Sequence, residues 1–258
     1  MSNPVDSVLT SSLIQKEMPF RLILPKDYAA SEKRYPVLYL LHGLSGSFDN
    51  WTDLTGIVTY AVDLDIIIVM PEGGDGWYAD SVEKYESYLI AELLPEIDGR
   101  FRTIADRRHR AIAGNSMGGY GAFKFALKFP ELFAFAASFS GAFHAPTLCG
   151  QSPGGNWNDL GPSITSVFGD RENPVRMDNN LAILVARKND RLPYFYFDCG
   201  SDDGFISANR EMDKTLLDLG VPHEFHELEG GHDWKYWDWR VRHLLEFVSE
   251  KLGPHDSV

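Results

Sequence analysis

The stretch that most constrains the fold is Gly114-Asn115-Ser116-Met117-Gly118, a G-x-S-x-G sequence set between two unlike patterns. Before it, Arg110-Ala111-Ile112-Ala113 is short and apolar, as a buried strand is. After it, apolar residues at 120, 123 and 127 and lysines at 124 and 128 follow helical spacing, which Pro130 stops. A chain that goes from buried strand to helix in so few residues must turn tightly. Bulk two positions either side of the serine would collide with the neighbouring strand and helix. Alone, the pattern also describes an ordinary glycine-rich loop. Between a strand and a helix it reads as a nucleophile elbow, with the Ser116 hydroxyl exposed at the turn.

The remaining chain supplies a scaffold for such a turn. Residues 12–24 alternate as an antiparallel strand or hairpin at a sheet edge, where Pro19 is permitted. Apolar runs over 36–41, 65–70, 133–139 and 194–199 read as strands covered on both faces, with a last strand over 223–228. Helical spacing is expected over 53–62, 83–98, 178–189, 207–219 and 236–252. Strands alternating with helices predict an α/β protein with a mostly parallel central sheet and helices on both faces. With 258 residues and no repeat or linker, a single domain over 1–258 is expected. Residues 144–176 show no clear period and many Gly, Pro and Asn, so they are expected to form a lid or substrate loop.

Charge and cysteine usage narrow the partners. Lys+Arg number 24 against 37 Asp+Glu, a net charge of −13, which argues against nucleic acid and against anionic membrane surfaces. No apolar run reaches the length of a membrane span, and residues 1–6 lack the basic and apolar parts of a secretory signal. A soluble, cytoplasmic protein is expected. Association into a homo-oligomer stays open. Cys149 and Cys199 make neither a disulfide scaffold nor a metal-binding pair, and a bond between them stays open. Neither a metal nor a cofactor is expected.

A serine hydroxyl is a poor nucleophile until a base takes its proton, and an acid must hold that base in one tautomer. On this kind of scaffold they follow in the order serine, acid, histidine, on loops at the carboxyl ends of strands. Of the eight histidines, His42 and His109 precede the serine and His144 comes too early. His223 and His226 fall inside a strand, and His243 and His255 in or beyond the last helix. His232, in Glu229-Gly230-Gly231-His232-Asp233-Trp234, follows the last strand, where the base belongs. The acid is expected in Gly200-Ser201-Asp202-Asp203-Gly204. Asp202 and Asp203 both fit by position, and one of them can cap the following helix. Asp198, within the strand, reads as structural. Two backbone N–H donors are needed for the oxyanion: Met117, after the nucleophile, and Leu44, after His42-Gly43 at the end of an early strand.

Together these segments resemble a known family, the esterase D-like esterases of the α/β-hydrolase fold. The resemblance rests on five stretches. They are His42-Gly43-Leu44-Ser45-Gly46 with Trp51, Met70-Pro71-Glu72-Gly73-Gly74-Asp75-Gly76-Trp77-Tyr78, and Gly114-Asn115-Ser116-Met117-Gly118-Gly119-Tyr120-Gly121-Ala122. The others are Cys199-Gly200-Ser201-Asp202-Asp203 and Gly231-His232-Asp233-Trp234. The Gly-Trp-Tyr loop and Ala136-Ala137-Ser138-Phe139-Ser140-Gly141-Ala142 are most similar to the tributyrin esterase branch. The resemblance implies Ser116, Asp203 and His232 as a triad with Leu44 and Met117 as oxyanion donors, and it favours Asp203 over Asp202. Trp51, Trp77, Tyr78, Phe143, His144 and Trp157 are candidates to line the substrate site, since loops at the strand ends make it. Trp234, Trp237 and Trp239 read instead as packing of the last helix. The expected activity is a metal-independent serine carboxylesterase acting through an acyl-enzyme on small or short-chain esters, a small-molecule substrate. A thioesterase of the S-formylglutathione type and a feruloyl or acetyl-xylan esterase are the alternatives within enzymes. A catalytically silent hydrolase fold that serves as a binding protein is the alternative outside them.

Overall fold

A computed structural model of the chain describes residues 4–148, 160–187 and 191–252. Its centre is an eight-stranded sheet in the order β1-β2-β4-β3-β5-β6-β7-β8. The strands are β1 (Val5–Ser11), β2 (Lys16–Ile23), β3 (Val37–Leu41), β4 (Ile67–Pro71), β5 (Arg110–Asn115), β6 (Phe135–Phe139), β7 (Tyr194–Gly200) and β8 (His223–Leu228). From β4 through β3 to β8 every pairing is parallel, and β1 and β2 are antiparallel additions at one end. The expected α/β arrangement is the one observed.

Period-2 alternation divides the apolar strands between two cores. Val37, Tyr39 and Leu41 of β3 face one core, while Leu38 and Leu40 face the other. The helices, in chain order, are α1 (Asn50–Leu54), α2 (Ile57–Tyr60), α3 (Tyr85–Ser87), α4 (Leu94–Arg100), α5 (Met117–Lys128), α6 (Leu160–Phe168), α7 (Pro174–Asp178), α8 (Leu181–Ala186), α9 (Ile206–Asp218) and α10 (Trp234–Leu252). Residues of α4, α5, α6, α8 and α9 fill the first core, and residues of α1, α2 and α10 fill the second. The sheet is thus covered on both faces, so its central strands can be apolar throughout.

Four expectations change. The antiparallel hairpin at the sheet edge begins earlier than expected, at Val5, and its second strand β2 lies between β1 and β4. Pro19 pairs with Val8 of β1 and its carbonyl accepts the Glu72 N–H at 3.1 Å, one residue before the β2–β4 ladder starts at Phe20, so its missing N–H forgoes only a bond at the ladder's end. The helix expected over 53–62 is split into α1 and α2 at Thr55 and Gly56, where Asp238 on α10 accepts the Gly56 N–H at 2.7 Å. The helix over 83–98 passes through a π-helical stretch, Tyr88–Leu93, just before Pro95, which has no N–H to give to a regular turn. The segment 144–176 is not an irregular loop where it is described, since it contains α6 and α7. Residues 149–159, with Cys149 and Trp157, lie outside the described residues. Cys199 is buried at the end of β7.

Candidate active site

Ser116 stands between β5 and α5 with φ 54° and ψ −116°, a strained conformation for a residue with a side chain. The surroundings hold it there. Its N–H donates to Phe139 O at 2.9 Å, and its carbonyl accepts from Tyr120 N at 3.0 Å and Ala142 N at 3.1 Å. Glycine is required at 114 and 118 because of close backbone approach. A Cβ on Gly114 would sit 2.5 Å from Gly118 C, and one on Gly118 would sit 2.5 Å from Leu41 O and 2.6 Å from His42 O. Backbone atoms cannot swing aside as side chains do, so these contacts fix the residue type.

His232 reaches Ser116 from the loop between β8 and α10. That loop is tied to the one after β7: Ser201 N donates to Leu228 O at 2.7 Å and Asp202 N to Gly230 O at 3.0 Å. Asp203, buried in the second loop, uses its two oxygens separately. Oδ1 accepts the Phe205 N–H at 2.8 Å, and Oδ2 lies 2.9 Å from His232 Nδ1. A carboxylate only accepts, so Nδ1 carries the hydrogen and Nε2 presents a lone pair to Ser116 Oγ, 3.0 Å away. Phe205 and Trp237 meet the imidazole at 72° and 86° with centroids 5.1 and 4.9 Å away, which limits its rotation. Asp202 is exposed and does not cap α9; the oxygen that receives a terminal N–H there belongs to Asp203.

Leu44 and Met117 lie at the ends of β3 and β5, as the elbow requires, and among the described residues neither backbone N–H has a protein acceptor. The loop carrying Leu44 is held from three sides. His42 Nδ1 donates to Gly43 O at 2.8 Å while its Nε2 accepts the Gly73 N–H at 3.0 Å. Trp51 Nε1 donates to Leu41 O at 3.1 Å, and Tyr78 O–H donates to His42 O at 3.0 Å. Trp51 and Tyr78 are therefore buried props of this loop, not walls of a substrate site. A buried indole or phenol needs a partner for its polar end, and here the loop backbone is that partner.

A cavity of about 460 Å³ opens above Ser116. Its apolar walls are Leu44, Trp77, Leu160, Phe205, Trp234 and Trp237, and its polar ones include Asn50, Asn115 and Asp233. Among the described residues no lysine or arginine lines it. Of the five candidates among the described residues, Trp77 alone borders this cavity. Phe143 packs against Phe123 and Phe197, and His144 faces Glu211 at 2.9 Å in a different cleft. Trp234 and Trp237, expected to serve packing only, are walls. They stand three apart in the first turn after His232, a spacing that puts both on the face turned toward it. Trp239, five residues beyond Trp234, is half exposed.

The wall residue Trp77 rests on a further departure from expectation. Trp77 and Tyr78 both have positive φ, 50° and 52°. The Tyr78 carbonyl accepts a hydrogen bond from Lys124 Nζ, and Trp77 Nε1 donates to Ser163 Oγ at 3.0 Å. Helical spacing puts Lys124 on a polar face, yet it is fully buried, 2.7 Å from Glu86, which also pairs with Lys128 at 2.5 Å. Burial pulls the Lys124 ammonium down to about 8, against the Glu86 charge that favours it. No group of three or more metal-ligating side chains occurs among the described residues.

Comparisons with known proteins place the chain among esterases. Residues 11–245 match the family model described as "Putative esterase". Esterase Rv1288 of Mycobacterium tuberculosis is 37% identical over 236 residues, covering 82% of this chain and 51% of that protein. The chain thus spans about half the length of that relative. An acetyl esterase of Caldicellulosiruptor saccharolyticus is 27% identical over 256 residues, covering 93% of this chain and 96% of its own. Among solved structures, a ferulic acid esterase superposes with a TM-score of 0.84 at 29% identity, covering 97% of this chain and 98% of its own. Sheet order and helix placement are those of the α/β-hydrolase fold.

Proposed function

The chain belongs to this esterase family, and with that as premise we propose that it is a serine carboxylesterase cleaving small, neutral acyl esters through an acyl-enzyme. The observation that carries the reading is the relay from Asp203 Oδ2 through His232 to Ser116 Oγ, with gaps of 2.9 and 3.0 Å, at the floor of an open cavity. His232 Nε2 takes the Ser116 proton as Oγ attacks the ester carbonyl carbon. Asp203 holds the imidazole in the tautomer that can do so and stabilises the imidazolium that forms. The oxyanion is received by the Leu44 and Met117 N–H groups, which have no partner among the described residues and need no rearrangement to bind it. His232 then returns the proton to the departing alkoxide. A water activated by the same imidazole releases the acid.

The cavity also bears on the substrate. Asp233 is its single aspartate or glutamate among the described lining residues, and no cation there would offset the carboxylates of a glutathione thioester. This favours neutral esters over the S-formylglutathione alternative. The test is hydrolysis of p-nitrophenyl acetate, methyl ferulate and S-formylglutathione by the wild type and Ser116→Ala. The expected result is neutral-ester hydrolysis that exceeds thioester hydrolysis in kcat/KM and disappears in the variant. Ser116→Ala activity within a few-fold of wild type would remove Ser116 from the mechanism. A folded wild type that hydrolyses none of the three would favour the silent binding protein.

A further inference from the structure

One polar side chain at the site has no role in the reaction as drawn. Asn115 ends β5 immediately before Ser116, is 1% exposed, and lines the cavity. Its Oδ1 is buried without a hydrogen-bond partner, and its Nδ2 donates to no group among the described residues. The other amide among the described lining residues is engaged. Asn50 Oδ1 accepts the Ser47 N–H at 3.0 Å, and its Nδ2 donates to Ser47 Oγ at 3.1 Å. A buried amide without partners destabilises the folded state, and at the wall of a cavity a ligand can complete it.

The position of the amide says which ligand atom that is. A Cβ on Gly43 would lie 3.2 Å from Asn115 Nδ2 and 3.5 Å from Ser116 Cβ. The bare Gly43 backbone therefore faces both the amide donor and the serine, one residue before the Leu44 N–H. We propose that Asn115 is a third oxyanion donor, its Nδ2–H donating to the ester carbonyl oxygen beside the Leu44 and Met117 N–H groups. This rests on the esterase reading above. Among the described residues the side chain makes no hydrogen bond that holds the protein together, so its contribution appears when charge develops on the substrate. A preorganised donor of this kind acts on the transition state more than on the bound ester.

The assignment predicts an unusual combination in Asn115→Leu, which keeps the volume and removes the amide. We expect kcat to fall about 100-fold, the usual effect of losing one oxyanion donor. KM should stay within about threefold and the melting temperature should be unchanged or higher, because a buried unpaired amide is gone. Affinity for phenylboronic acid, whose tetrahedral adduct mimics the intermediate, should drop by the same factor as kcat/KM. Asn115→Asp keeps the shape but offers an acceptor and a negative charge, so it should lose more than the leucine variant; it also serves if that variant fails to fold. Either variant retaining kcat within about threefold, or a loss confined to KM, overturns the assignment. A wild type that hydrolyses no ester, and takes no organophosphate label at Ser116, removes the esterase reading itself and the inference with it.

Discussion

Two aspartates five residues apart, both buried at the end of β7, sit in networks of opposite kind. Asp198 is closed in. Its Oδ1 accepts from Tyr236 O–H at 2.8 Å, and its Oδ2 accepts from Arg240 Nε at 2.8 Å and Tyr196 O–H at 3.0 Å. Arg240 also donates to the Tyr196 oxygen, so the group turns back on itself. Burial raises the Asp198 carboxyl above its usual range, opposed by the Arg240 guanidinium and the two phenols. Asp203 has one oxygen fixed by the Phe205 N–H and the other on an imidazole whose far nitrogen ends at Ser116 and the cavity. A closed network pins α10 to β7, while an open one has an end at which a proton can leave. Burial and charge do not distinguish the two. The number of uncommitted ends does.

The largest effect expected from this contrast is on rate. Asp203→Asn should leave a folded protein with kcat lowered about 10⁴-fold, because the amide favours the wrong imidazole tautomer. Asp202→Asn, at an exposed position, is its control and should keep kcat within about twofold. Steady-state kinetics on the purified pair decide it, and a crippled Asp202 variant beside an active Asp203 variant reverses the assignment.

The closed network should answer in stability instead. Arg240→Met leaves Asp198 buried without its cation, a change that costs about 3–5 kcal/mol. Turnover by the molecules that remain folded should be close to wild type. Urea unfolding with active-site titration reads both quantities. Unchanged stability with lost turnover would place Asp198 and Arg240 in the chemistry and dissolve the contrast.

The smallest effect concerns Lys124, a buried cation whose network is closed but which has a proton to lose. Its folded value is lowered from 10.5 to about 8, chiefly by burial. Between those values the unfolded chain holds the proton and the folded one does not, so stability rises with pH across that window and the gain is lost as pH falls through about 8. Glu86, Lys128 and Asp80 face the same ammonium, so the measurement is the difference between wild type and Lys124→Met, in which those groups remain. Unfolding free energies at pH 7.5, 9 and 10.5 should show the wild type gaining on the variant. A difference independent of pH would mean that Lys124 does not titrate there.

Sequence and tertiary structure divided the problem along a physical line. The turn at Ser116, the order serine–acid–histidine and the alternation of strands with helices were legible because each is a local demand. Gly114 and Gly118 answer to backbone atoms a few residues away or on the adjoining strand, and a strand buried on both faces must be apolar along its length. Position alone left Asp202 and Asp203 equivalent, since both occupy the right loop; which one turns toward His232 depends on how the loops after β7 and β8 are tied together. The aromatic residues were sorted only by packing, which sent Trp51 and Tyr78 beneath the Leu44 loop and brought Trp234 and Trp237 to the cavity. The burial of Lys124 was equally unreadable along the chain, because what compensates it, Glu86 and the Tyr78 carbonyl, comes from 38 and 46 residues away. Sequence determines what the backbone requires of each residue in turn. Which side chains meet is decided only when distant elements close on one another.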